Sequence, residues 1–320
     1  MSINRPSLAI AAVASLLALS AQAADLKLVD ITAIVDHPAL DAARNGVVDQ
    51  LKAEGFGEDK VKVQYQSAQG NPATAGQIAR KFVGDKPEVI VAIATPSAQA
   101  VVAATRTVPV VFTAVTDPVA AKLVSSWKAS GTNVTGVSDM LPLGPQIDLI
   151  QKVKPTAKRI GMVFSPGEAN STVVVKEMKE ELAKRGMTLV EAPAPRTVDV
   201  APAAKSLVGK VDAIYTSTDN NVVSTYESLV AVANQAKIPL IAADGDSVKR
   251  GAVAALGMNY YDMGRQTGKI VARLLKGEKP GAIAPEKGVK LNLTVNPAAA
   301  QKQGAPLSAA LLKEAQTTIK

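Results

Sequence analysis

Thr95, Pro96 and Ser97 follow directly on a continuous apolar run, Val89 to Ala94. Such a run reads as a strand buried on both faces of a sheet. A hydroxyl residue followed by proline reads as a helix start, with Thr95 as N-cap and Pro96 in the first turn. The free backbone N–H groups of a helix start bind an anion without a cation beside them. Polar residues stand in the same relation to other apolar runs. Asp36 and His37 follow Leu28–Val35, and Thr116 and Asp117 follow Val108–Ala114. Later, Glu168, Asn170 and Ser171 follow Arg159–Phe164, Thr218, Asp219 and Asn220 follow Val211–Tyr215, and Asp244 follows Pro239–Ala242. In open parallel sheets, ligands bind beyond the carboxyl ends of the strands.

These loops hold hydroxyls, amides and carboxylates but no lysine or arginine. The set suits a small zwitterion, whose carboxylate meets a helix start and whose ammonium meets a carboxylate such as Asp244. Each residue also has a plainer role. Thr95, Ser171 and Thr218 can be helix caps alone, and Asp117-Pro118 and Ser165-Pro166 can be turns alone. Tyr260, Tyr261, Phe112 and Trp127 read first as core. His37 is the single histidine and the chain has no cysteine, so no metal-ligand set is expected. No nucleophile elbow, zinc-protease motif or phosphate-binding glycine loop is present. Neither cofactor nor catalysis is expected, with carboxylate-only chemistry as the one enzymatic alternative.

The elements that must position these residues alternate along the chain. Strands at Leu28–Val35, Val61–Tyr65, Val89–Ala94 and Val108–Ala114 are separated by helical patterns at Ala39–Gly55, Ala73–Val83 and Ser97–Thr105. Alternation of this kind gives a parallel sheet with helices on both faces. The pattern restarts with strands at Arg159–Phe164, Thr188–Ala192, Val211–Tyr215 and Pro239–Ala242 and helices at Ser171–Arg185, Val200–Leu207 and Val222–Gln235. Val108-Pro109-Val110-Val111 lines up with Ile238-Pro239-Leu240-Ile241. The expected class is α/β, with two Rossmann-like lobes. Elements left over after the second lobe, Ala252–Leu256, Met263–Leu275, Val289–Val295 and Pro306–Ala315, imply that the chain crosses back. Crossings near Val137, Met258 and Lys287 make a three-crossing hinge. The lobes are then 24–137 plus 259–286 and 138–258 plus 287–320.

Residues 1–23 have the layout of a cleaved signal peptide: Arg5, an apolar run from Leu8 to Leu19, then Ala21-Gln22-Ala23. That run is too short to cross a bilayer comfortably. Without cysteine there is no lipid-anchoring site, so an exported chain needs an outer wall to retain it. The periplasm is the expected location, with no membrane embedding. Hydrophobic residues make up 47% and charged residues 20%, an ordinary globular balance. The net charge is +8, but Lys and Arg alternate with Glu along helices, as in Lys179-Glu180-Glu181. Solvated helix faces explain this better than nucleic acid, and a monomer is expected.

Several segments resemble one family. They are Val35–Asp41, Thr95–Gln99, Val111–Pro118, Asn133–Asp139, Gly167–Ser171 and Tyr260–Gly268. The chain is similar, from about Leu28 to Gly304, to ABC transporter substrate-binding proteins of the tryptophan/tyrosine type. The resemblance implies a type I periplasmic-binding-protein fold, an amino-acid ligand and an ABC permease as partner. It also implies Thr95 and Ser97 at the ligand carboxylate and Asp244 near the ammonium. A receptor for a sugar or nucleoside, or one that only signals, has the same fold. A transcriptional regulator of this fold carries an N-terminal helix-turn-helix, where this chain has its signal-like segment.

Overall fold

The computed structural model describes residues 26–320, so the signal-peptide segment lies outside the described residues. The first half contains β1 (Lys27–Ala33), α1 (Pro38–Ala53), β2 (Val61–Ser67), α2 (Pro72–Asp85), β3 (Val89–Ile93), α3 (Thr95–Ala104), β4 (Val110–Val115) and β5 (Val134–Ser138). The second contains α4 (Leu143–Val153), β6 (Arg159–Phe164), α5 (Ala169–Lys184), β7 (Thr188–Pro193), α6 (Val200–Ser206) and β8 (Ala213–Thr216). It continues with α7 (Asn220–Ser224), α8 (Tyr226–Ala236), β9 (Leu240–Ala242), α9 (Gly245–Lys249) and β10 (Ala254–Met258). The chain ends with α10 (Tyr260–Leu275), β11 (Glu286–Lys287), β12 (Leu291–Val295), α11 (Pro297–Lys302), α12 (Ala309–Glu314) and β13 (Thr317–Thr318).

Two sheets result. The first has the order β11-β5-β4-β3-β1-β2 and is parallel throughout. The second has the order β13-β12-β10-β9-β8-β6-β7, parallel except where β12 runs against β10. Within these, β5-β4-β3-β1-β2 and β10-β9-β8-β6-β7 are the same arrangement, so the sequence repeat is a repeat of topology. The chain passes between the sheets three times: after β5, after β10 and after β11. The fold is thus the expected two-lobed α/β fold with parallel-dominated sheets.

Burial explains the strand composition. β3, β4 and β5 are buried at every position; β3 therefore reads as an unbroken apolar run and β4 as one broken only by Thr113, whereas β5, Val-Thr-Gly-Val-Ser, carries no such signal. In the second lobe alternate residues of β6 go to opposite faces. Ile160, Met162 and Phe164 join one core cluster and Val163 the other.

Several local expectations change. Thr95 is not the N-cap of α3. That position is held by Ala94 at φ 73° and ψ 155°, so Thr95 and Ser97 lie inside the first turn. The single helix expected over Val222–Gln235 is two, α7 and α8, parted at Thr225. The Ser224 and Thr225 hydroxyls both bond back to the Asn221 carbonyl (2.9 and 3.0 Å), competing with the helical ladder. β5 and α4 are elements that the sequence pattern does not announce. Pro142, Gly144 and Pro145 mask a helical face of Leu143, Ile147 and Ile150. The terminal helix is shorter than Pro306–Ala315, and α11 precedes it.

The closest helix packing seats α10 on α1. A Cβ placed on Gly264 would strike the Ala43 carbonyl oxygen, and one on Gly46 would strike the Tyr261 carbonyl oxygen. A Cβ on Gly268 would stand 2.5 Å from the Gln50 Cβ. Small residues here let the two backbones meet, and that contact fixes the first turn of α10, which begins with Tyr260.

Candidate ligand-binding site

On the first lobe, the backbone is strained at two strand ends. Ala94 after β3 and Ala114 within β4 both take positive φ (73° and 54°). Alanine in such conformations costs about 1–3 kcal/mol, and such strain gathers at ligand sites. The turn at Ala94 aims the start of α3 out of the sheet. The first intrahelical bond there runs from the Ala98 N–H to the Ala94 carbonyl (3.1 Å). The Ser97 N–H lies ahead of it. The Thr95 and Ser97 hydroxyls are buried and have no hydrogen-bond partner. Buried polar atoms are normally paired; Asp30, Thr32, Gln50 and Thr135 of this lobe also carry unpaired ones, and Thr95 and Ser97 are the two that stand just past the end of β3.

His37 caps α1, its Nδ1 accepting from the Leu40 N–H at 3.5 Å. Burial first, and Arg250 of the other lobe second, lower its pKa to about 4. At neutral pH the ring is therefore uncharged, with its proton on Nε2. Asp36 accepts from the Tyr65 hydroxyl at 2.5 Å. Asp117 accepts from the Val119 and Ala120 N–H groups (2.9 and 3.0 Å), the geometry of a turn. Pro96 is half-buried.

On the second lobe, much of the expected set is tied into one network. Asp219 accepts from the Ser165 N–H (2.6 Å), the Ser165 hydroxyl (2.9 Å), the Ser171 hydroxyl (2.5 Å) and the Val222 N–H (3.0 Å). Asp219 and Ser171 thereby fix the loop around the site. Glu168 accepts from Asn170 Nδ2 (3.0 Å), Asn220 Nδ2 (2.7 Å) and the Asn220 N–H (3.2 Å). Burial, with Asp219 nearby, still pushes its pKa up to about 7. Asn170 Oδ1 and the Ser217 hydroxyl are buried and unpartnered. Asp244 caps α9, accepting from the Ser247 N–H (2.8 Å) and hydroxyl (2.6 Å).

The lobes meet at Thr116 and Thr218, whose hydroxyl oxygens stand 3.2 Å apart. Thr116 donates to Asp139 Oδ1 (3.1 Å), so Thr218 is the donor to Thr116. Tyr260 donates to Asp139 Oδ2 (2.6 Å). Asp139 is thus the junction of a chain of hydroxyls from both lobes. Burial raises the pKa values of both Asp139 and Asp244.

Two cavities flank this junction and share Asp139 and Thr218. One is lined by His37, Ala39, Leu40, Ala114, Asn220, Val223, Asp244 and Tyr260 as well. The other takes Thr116, Leu141, Leu143, Val174, Glu177, Tyr215, Ser217 and Ala243. No lysine or arginine lines either. The expected residues His37, Thr116, Thr218, Asn220 and Asp244 therefore converge on the cleft. Asp36, Asp117, Asp219 and Ser171 bond to other parts of their own lobe. Asp139, Tyr260 and Ser217 escape the strand-end reading. Asp139 directly follows β5, whose sequence Val-Thr-Gly-Val-Ser carries no strand signal, and Tyr260 reads first as core. Among the described residues, no group of three or more His, Asp or Glu side chains could hold a metal ion. No helix among them is long and apolar enough to cross a membrane.

Two facing α/β lobes joined by three crossings, with a polar cleft between them, define a solute-binding protein. The model of the ABC transporter substrate binding protein family matches residues 28–319, and the chain belongs to that family. It is 40% identical over 258 residues to the tyrosine-binding protein of Clostridioides difficile (strain R20291), covering 80% of this chain and 75% of that protein. An ABC domain from Streptococcus pneumonia, solved in complex with L-Trp, superposes with a TM-score of 0.89 at 33% identity, covering 92% of this chain and 100% of that one. A substrate binding protein with adhesive properties from Clostridium difficile, in its ligand-free open structure, gives a TM-score of 0.70 at 37% identity, covering 92% and 99%.

Proposed function

We propose that this protein is the receptor of an ABC importer for an α-amino acid with an aromatic side chain, held between the two lobes. The observation that carries the reading is the pairing of donors and acceptors in a cleft without cations. The buried Ser217 hydroxyl, in one cavity wall, lacks a partner, as do those of Thr95 and Ser97, which stand in the first turn of α3 and line neither cavity, while the carboxylates of Asp139 and Asp244 line the other cavity together. A carboxylate is held by neutral donors and a helix start. An ammonium is held by Asp244, with Asp139 facing it, because an unpaired buried charge is costly. The names of the relatives, one tyrosine-binding and one bound to L-Trp, point the same way.

On this reading the lobes comprise 24–137 plus 259–286 and 138–258 plus 287–320, and the ligand leaves the protein chemically unchanged. Calorimetry with amino acids, sugars and nucleosides tests the assignment, together with mass spectrometry of ligand released from the denatured protein. An aromatic amino acid recovered intact is expected. A sugar or nucleoside that binds where no amino acid does would sink the reading.

We also infer export to the periplasm, with cleavage after Ala23, and delivery of ligand to a membrane permease by a monomeric receptor. The basis is the Arg5, apolar run and Ala21-Gln22-Ala23 pattern. N-terminal sequencing of protein from the periplasmic fraction is expected to begin at Ala24. Uncleaved chain confined to the cytosol would overturn it.

A further inference from the structure

The cavity on the α5 side changes character from one end to the other. At the cleft end, Thr116, Asp139, Ser217 and Thr218 present polar atoms. Leu141, Leu143, Val174, Ala243 and the Tyr215 ring form apolar walls. Glu177 closes the far end. It also borders an outer hollow by the hinge, with Met140, Leu141 and Leu143, whereas Thr116, Ser217 and Thr218 do not. A carboxylate at the end of an apolar slot is out of keeping with a slot that takes only hydrocarbon.

The helix supplies a ruler. Asn170, Val174 and Glu177 are spaced i, i+4, i+7 and so lie along one face of α5. Asn170 bonds to the Thr218 carbonyl (3.2 Å) and marks the level of the cleft. Seven residues further along the helix is about 10 Å, the scale of an aromatic amino acid from its backbone to the tip of its ring. Among the described residues Glu177 makes no ion pair or hydrogen bond. Partial burial first, and then the like charges of Asp117, Glu180 and Glu181, hold its carboxyl above the usual range against the opposing charge of Lys176. A donor arriving from the slot would relieve that.

We propose that Glu177 reads the tip of the ligand's side chain, accepting a hydrogen bond from a phenol O–H or indole N–H and so selecting tyrosine or tryptophan over phenylalanine. This rests on the amino-acid reading above and adds the group that sets side-chain specificity. Glu177 is half-buried, so water partly replaces a missing donor. The discrimination is therefore smaller than in a sealed site, about 10- to 100-fold.

The test is calorimetry of the full mature chain with tyrosine, tryptophan and phenylalanine, for the parent, Glu177→Gln and Glu177→Leu. The parent is expected to bind tyrosine or tryptophan about 10- to 100-fold more tightly than phenylalanine. Glu177→Leu should bring that ratio close to one while phenylalanine binding is kept or improved. Glu177→Gln should retain part of the preference, since its amide oxygen accepts. Equal binding of phenylalanine by the parent overturns the inference. So does a Glu177→Leu variant that keeps the ratio, or that weakens all three ligands alike. If the parent binds none of the three, the amino-acid reading itself fails, and this inference with it.

Discussion

Asp244→Ala is expected to weaken amino-acid binding by about 3–5 kcal/mol, two to three orders of magnitude or more. The side chain is buried and faces a cavity that also holds Asp139 and Tyr260. Its removal leaves the ligand ammonium with one carboxylate instead of two. It also uncaps α9, which costs about 1 kcal/mol of stability without ligand. Asp244→Asn separates the two effects, because the amide oxygen still accepts from Ser247 and still faces the ammonium. It should lose less affinity and little stability. The pH response gives a second readout. Burial raises the carboxyls of Asp139 and Asp244 above their ordinary range. The ligand-free protein is thus favoured below that ordinary range and loses stability as pH rises through the raised values, where both groups must ionise in place. A bound ammonium offsets that loss. The increase in melting temperature on adding ligand should therefore grow from acid to neutral pH, and grow less in Asp244→Asn. Alanine at 244 binding as tightly as the parent, with a pH-independent ligand shift, would remove Asp244 from the site.

Gly264→Ala is expected to destabilise the fold by about 3 kcal/mol or more. The added methyl would meet the Ala43 carbonyl, a backbone atom of α1 that cannot swing aside as a side chain could. The helices must part, and α10 carries Tyr260, whose hydroxyl holds Asp139 at 2.6 Å. Ligand affinity should fall along with stability. Gly84→Ala is the control of opposite sign. It lies in α2, with nothing within 4 Å of the new methyl, and removal of a helical glycine should stabilise by about 0.5–1 kcal/mol. Urea unfolding of both variants checks the pair. Gly264→Ala within about 1 kcal/mol of the parent would mean that the two helices can slide apart cheaply.

Much of the architecture is legible in the sequence because buried parallel strands have few alternatives. Val89–Ile93 is apolar throughout, and Val110–Val115 apolar but for Thr113, for the reason that both strands are buried at every position. The repeat appears as matching proline positions before β4 and β9, and it reappears as matching strand order. What escapes is where local signals conflict or where partners are far apart. Leu143–Val153 hides behind Pro142 and Pro145. Thr95 reads as a cap by residue type, but Ala94 takes that place because the backbone turns sharply after β3. Asp139 and Tyr260 are 121 residues apart in sequence, and neither carries a local mark of the other. Asp219 and Ser171 look like ligand contacts by position, and only their bonds to one another and to Ser165 reveal how the second lobe's loop is held.

The Thr116–Thr218 contact bears on what a membrane partner can sense. One neutral hydroxyl pair at the lobe interface contributes on the order of 1 kcal/mol. That shifts a balance between open and closed forms by about fivefold and locks nothing. Moving such a balance from 1:99 to 99:1 takes about 5.5 kcal/mol of preferential binding to the closed form. In the proposed binding mode, an ammonium between two carboxylates and a carboxylate at a helix start would supply that amount, and one hydroxyl bridge would not. The empty receptor would then flicker between shapes while the loaded one stays shut. A permease that docks only on the shut form would read occupancy as a matter of dwell time.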